Sequence, residues 1–123
     1  MFKQSSSLKR LQALGRKKQG DLNKTEQAYA NYLADRKYRG EIEWYQFEGI
    51  KLRLADKTFL TVDFALMRAD GVLEMVDVKG SKAIVMDDAK AKIKIAASLF
   101  PFVFKLAFPK AKKDGGGWLE EEI

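Results

Sequence analysis

Between two runs of strand-forming residues, Thr58 to Arg68 and Val72 to Lys79, lies the tripeptide Ala69-Asp70-Gly71, the feature that most constrains this chain. A three-residue hairpin loop is commonly a type I turn followed by a residue in the left-handed region, a place that suits Gly71. Arg68 then faces Val72, and counting back two by two puts Asp63 directly across from Asp77 on one face of the sheet. Their Cβ atoms are expected about 4.5 to 5.5 Å apart. Lys79 lies two residues beyond Asp77 on that same face, roughly 6.5 to 7 Å along. Val62, Phe64, Val76 and Val78 at the alternate positions assign the other face to a core.

Like charges directly opposite one another destabilise a sheet, so the two acids need a compensating cation. The chain has no cysteine and no histidine. That excludes thiol nucleophiles, disulfides, Cys/His zinc sites and any imidazole base, and leaves carboxylates, lysines, hydroxyls and a hard metal ion. Mg²⁺, with Mn²⁺ as a substitute, suits two carboxylates together with waters and a substrate phosphate oxygen. Lys79 would hold an attacking water or offset charge building up on the phosphate. Plainer readings stay open: Asp63 as a polar residue on a solvent-facing strand, and Asp77 with Lys79 as an exposed ion pair worth less than about 1 kcal/mol.

The rest of the chain supplies one domain around this patch. Asp21 to Arg39 reads as a helix, with Asn23 as candidate N-cap and an apolar stripe through Tyr29, Ala30, Tyr32 and Leu33 that ends at Gly40. Three strands follow near 42 to 47, 50 to 55 and 58 to 68, then a fourth from Val72 to Lys79. A loop from Gly80 to Met86 leads to a second helix, capped by Asp87 or Asp88 and striped by Ala89, Ile93, Ala96, Ala97 and Phe100. Pro101 stops it, and a last strand, Phe102 to Phe108, is apolar enough to be covered on both faces. The order implies an α/β fold with a single mixed central β-sheet flanked by helices. Residues 110–123, Gly-rich and acidic, are expected to form a flexible tail unless Trp118 docks.

The net charge of +6 sits in a flexible basic arm, residues 1–20, which holds six of the 23 basic residues and no acid. Lys9, Arg10, Arg16, Lys17 and Lys18 there suit contact with a polyanion. A solvated tail or a targeting helix carrying Leu8, Leu11 and Leu14 are the competing readings. With no membrane span and no secretory signal in view, a cytoplasmic location is expected.

Thr61-Val62-Asp63-Phe64 followed by Asp77-Val78-Lys79-Gly80 resembles the Asp...(Asp/Glu)-x-Lys signature of the PD-(D/E)XK nuclease superfamily. Specifically it is similar to phage endonuclease I-type junction-resolving enzymes and small phage relatives. The resemblance covers about residues 20 to 108, including Glu26 in the first helix and Asp87-Asp88-x-Lys90 opening the second. It implies a restriction-endonuclease-like core (αβββαβ) over residues 21–109, with Asp63 and Asp77 as metal ligands, the Val78 carbonyl as a third and Lys79 as the catalytic lysine. Glu26 would assist the metal or its water, although Asn23-x-x-Glu26 also has capping-box spacing. Lys90 would reach the site or the nucleic acid. Val62 stands where the family has proline, and Asp77 where glutamate is commoner.

The implied activity is a Mg²⁺-dependent endodeoxyribonuclease acting in the host cytoplasm if phage-encoded, on branched DNA such as a Holliday junction. Two symmetrical cuts call for a homodimer, with the apolar 42 to 54 segment as first guess for its interface. The alternative is a non-catalytic DNA-binding or assembly module that retains the nuclease fold. Trp44, Tyr45 and Phe47 are assigned to core and interface rather than to base stacking.

Overall fold

The computed structural model describes residues 22–81 and 87–123, with the side chains of Asp87 and Asp88 not described. The basic arm, with Lys9, Arg10, Arg16, Lys17 and Lys18, therefore lies outside the described residues, as do the side chains of the expected caps Asp87 and Asp88 and most of the 80 to 86 loop. Among the described residues, no helix is long and apolar enough to cross a membrane.

The first helix, α1 (Lys24–Tyr38), starts where expected. Asn23 accepts a hydrogen bond from the Glu26 amide at 2.8 Å, and Glu26 Oε1 accepts one from the Asn23 amide at 2.9 Å, which completes a capping box. Six strands and a second helix follow: β1 (Ile42–Phe47), β2 (Lys51–Ala55), β3 (Thr58–Thr61), β4 (Phe64–Arg68), β5 (Leu73–Val78), α2 (Asp87–Leu99) and β6 (Val103–Pro109). A 3₁₀ turn, Lys112–Asp114, precedes β7 (Trp118–Glu122).

The central sheet runs β1-β4-β5-β6-β7, parallel only between β5 and β6, and β2 with β3 forms a separate two-stranded sheet. Among the described residues it is thus an α/β fold with a mixed central sheet and two helices. Side-chain alternation divides the sheet between them. Phe64, Leu66, Val76, Val78 and Ala107 are buried together with Tyr29 and Leu33 of α1. Ala65, Met75, Phe104, Leu106 and Phe108 are buried with Ile93 and Ala96 of α2 and Leu52 of the β2–β3 hairpin. The two-sided cover expected for the last strand is what β6 receives.

The Ala69-Asp70-Gly71 turn forms as expected. The Arg68 amide donates to the Val72 carbonyl and the Gly71 amide to the Arg68 carbonyl, both at 2.9 Å, and Gly71 has φ +87°. Phe64 pairs with Val76 and Leu66 with Glu74, the register that the turn dictates.

Two expectations are corrected. The single strand read from 58 to 68 is two strands in different sheets, divided at Val62-Asp63. Phe47 already pairs with Phe64, so the intervening chain must leave the sheet and return, and it does so as the hairpin. The C-terminal segment, expected to be a flexible tail, instead contains β7, the antiparallel edge strand beside β6. Trp118 docks on Tyr29, edge to face with ring centroids 4.9 Å apart, and the Tyr29 hydroxyl donates to Glu120. Burial and the neighbouring Glu120 charge push the Tyr29 phenol far above its ordinary range. Lys105 faces Glu122 across the β6–β7 pair, so this acidic run is placed by its strand register.

The guessed interface segment also divides. Residues 42 to 47 form an edge strand, while Leu52 belongs to the core beneath α2.

Candidate active site

Asp63 sits at the point where the chain comes back from the hairpin into the central sheet. Its carbonyl accepts from the Glu48 amide at 2.8 Å, closing the excursion, and its Oδ2 accepts from the Val78 amide at 2.8 Å. Asp77, on the penultimate residue of β5, meets it side chain to side chain through a carboxyl–carboxyl hydrogen bond. Lys79 continues the same face: its Nζ lies 2.7 Å from Asp77 Oδ2, and its amide donates to Ala107 of β6 at 2.9 Å. The structure therefore brings together Asp63, Asp77 and Lys79, at the end of β5 that leads toward α2.

The electrostatics of the pair follow from this packing. Burial, then the hydrogen bond to Asp77, then the Asp77 charge push the Asp63 carboxyl up to about 8, against the lowering effect of the Val78 amide. The neighbouring Asp77 carboxyl thus disfavours the charged form of Asp63. Lys79 Nζ, 2.7 Å from Asp77 Oδ2, supplies a cation beside the pair.

Glu26 is buried at the N-terminal turn of α1, and its charge adds to the upward pressure on Asp63. One of its oxygens is committed to the capping box. Among the described residues, no group of three or more acids is disposed to hold a metal ion, and the acids that meet here are Asp63 and Asp77. Lys90 stands exposed on α2. Val78 contributes its amide to Asp63, and its side chain is core.

A second charged cluster went unread in the sequence. Glu74, 1% exposed, lies between Arg68 and Lys105, with oxygen–nitrogen distances of 3.2 and 3.1 Å. Glu74 pairs with Leu66 at a position that the strand pattern marks as core, and two flanking cations make such a buried acid tolerable. No signal in the sequence linked Arg68 or Lys105 to it. It faces the α1 side of the sheet, away from Asp77, and belongs to the framework.

No protein-family model, no curated protein and no solved structure matches the chain.

Proposed function

We propose that the chain is a metal-dependent endonuclease that hydrolyses phosphodiester bonds in DNA, of the PD-(D/E)XK type with its restriction-endonuclease-like core. The observation that carries this reading is the convergence of Asp63, Asp77 and Lys79 through a register fixed by an independent turn. Burial and the neighbouring Asp77 carboxyl both disfavour charge on Asp63, which marks a place where positive charge is needed. Hard oxygen donors are what Mg²⁺ or Mn²⁺ takes, so the residues present fit such an ion.

Asp63 and Asp77 would hold the ion, with Glu26 near enough to act on a coordinated water by its charge. When bound, a divalent ion supplies Lewis-acid polarisation of the phosphodiester and a more acidic water. Lys79, fixed by Asp77, stands ready to orient the attacking water and to offset negative charge on the phosphorus-bound oxygens as the water oxygen bonds to phosphorus and the leaving oxygen departs. The basic arm and Lys90 would follow the DNA backbone and contribute affinity rather than chemistry. A homodimer acting on branched DNA is the form we favour, because two symmetrical nicks need two identical sites.

A non-catalytic DNA-binding module is the second reading, favoured by the commitment of Glu26 to its cap and by the restriction of the acid cluster to two members among the described residues. Incubating supercoiled plasmid, single strands and a four-way junction with Mg²⁺ or Mn²⁺, and with chelator, separates the two. The nuclease reading expects metal-dependent nicking by the natural chain and none by Lys79→Ala or Asp63→Asn, both with DNA binding retained within a few-fold. Absence of cleavage in either metal leaves the binding module.

A further inference from the structure

The β2–β3 hairpin has two unlike faces. Leu52, Leu54 and Leu60 point inward and pack on the core beneath α2. The outer face holds Lys51 opposite Thr61 and Arg53 opposite Phe59. Phe59 remains 42% exposed, with Lys51 Nζ 4.7 Å from its ring centroid. Lys92 of α2 reaches the Phe59 carbonyl at 3.4 Å, adding a third cation beside the strand. The one acid between residues 50 and 61 is Asp56, paired with Arg53 at 3.5 Å, whereas residues 89–99 carry three lysines and no acid.

We propose that this outer face is a docking surface for an unpaired nucleic-acid strand, with Phe59 stacking on a base while Lys51, Arg53 and Lys92 meet phosphates. The inference deepens the nuclease reading and rests on it for one point only, that the strand held here leads to Asp63. Charge complementarity identifies the occupant as a polyanion, and the exposed aromatic among the cations narrows it further. A base offers a ring face to an aromatic side chain only when it has left the duplex stack, whereas a duplex presents phosphates that lysine and arginine alone would satisfy. Phe59 also lies only four residues before Asp63, so no more than roughly 13 Å of extended chain separates them. The hairpin leaves and rejoins the sheet at the carboxylate pair, where Glu48 bonds to the Asp63 carbonyl. A strand lying along it would therefore pass beside the candidate site.

The test is equilibrium binding of the full chain, in chelator so that no cleavage intervenes, to labelled oligothymidylate, oligouridylate and a duplex of equal length. Phe59→Ala is expected to weaken binding to the single strands by about 5- to 150-fold, with the duplex within about two-fold, and Phe59→Trp to retain wild-type affinity. Preference between the thymidylate and uridylate arms tells whether the strand is DNA or RNA. Lys51→Ala with Arg53→Ala should flatten the salt dependence by about 0.7 in slope for each phosphate no longer neutralised. Unchanged single-strand affinity in Phe59→Ala, an equal loss on duplex, or displacement of the oligonucleotide by an acidic peptide at equal charge concentration overturns the proposal. Thermal melting of each variant at the wild-type temperature confirms that the fold is retained. Cleavage is read separately with Lys79→Ala: nicking without a Phe59 effect sinks the hairpin inference alone, and a Phe59 effect without nicking sinks the nuclease reading alone.

Discussion

The Val78 amide donates to Asp63 Oδ2 at 2.8 Å, so the backbone between Asp77 and Lys79 is tied to the carboxyl that faces Asp77. This bond fixes Asp63 although it lies outside β4, at the seam where the hairpin rejoins the sheet. Removing the carboxyl's capacity to ionise need not break the bond, since an asparagine oxygen accepts equally well. Asp63→Asn therefore isolates charge from geometry.

Stability without metal should fall as pH rises. Asp63 is raised in the folded chain to about 8, against about 3.9 in an unfolded one. The folded state thus binds the extra proton between those values. Its contribution is full below about pH 4 and is lost as pH climbs through about 8, at up to roughly 1.4 kcal/mol per pH unit. Urea unfolding from pH 5 to 9 in chelator should show wild type losing stability relative to Asp63→Asn. Parallel pH profiles for the two chains would show that no proton is held there.

A divalent ion should reverse that loss. Binding of Mn²⁺ or Mg²⁺ at the acid pair would stabilise only the folded chain, by about 2.7 kcal/mol when the free ion is at a hundred times its dissociation constant. At pH 8 the melting temperature should rise with added metal in wild type and rise less in Asp63→Asn and Asp77→Asn. Equal shifts in all three would place the ion elsewhere.

Glu26 is assigned both a cap and a charge near the acid pair, and one substitution separates them. Glutamine at the third helical position still completes a capping box, whereas alanine does not. Glu26→Gln should keep its stability within about 0.5 kcal/mol while Glu26→Ala loses about 1 kcal/mol. If the Glu26 charge assists cleavage, both variants lose nicking rate to a similar degree. Full activity in Glu26→Gln confines the residue to its cap.

The register of Asp63 on Asp77 was legible because a turn with a glycine in the left-handed place fixes pairing locally, within ten residues on each side. So were α1 and α2, whose buried residues, Tyr29 and Leu33, Ile93 and Ala96, recur at helical spacing. The break at Val62-Asp63 was not legible, since a lone Asp beside a β-branched Val is a weak turn signal and the division is imposed from afar by the pairing of Phe47 with Phe64. Nor was the outer face of the hairpin, although Lys51, Arg53 and Phe59 alternate with Leu52, Leu54 and Leu60. The signal was present, but in a four-residue strand it competes with the apolar run that follows. The C-terminal strand was hidden because three successive glutamates read as solvated until a Tyr29 hydroxyl and a facing Lys105 are supplied by other elements.

That strand is the source of the last prediction. Trp118 closes the aromatic group formed by Tyr29 and Tyr32, and β7 covers what is otherwise an exposed edge of β6. Trp118 is half-buried, so Trp118→Ala should destabilise by about 2 to 3 kcal/mol, below the range for a fully buried tryptophan. Removing residues 115 to 123 should cost more. It takes away the β6–β7 hydrogen bonds, leaves the Tyr29 hydroxyl without its acceptor and uncovers a strand whose alternate residues are Phe104, Leu106 and Phe108. Urea unfolding reads the first effect, and concentration-dependent light scattering of the shortened chain reads the second. A shortened chain that unfolds at the wild-type urea concentration and stays monomeric would return residues 115 to 123 to the role of a dispensable tail.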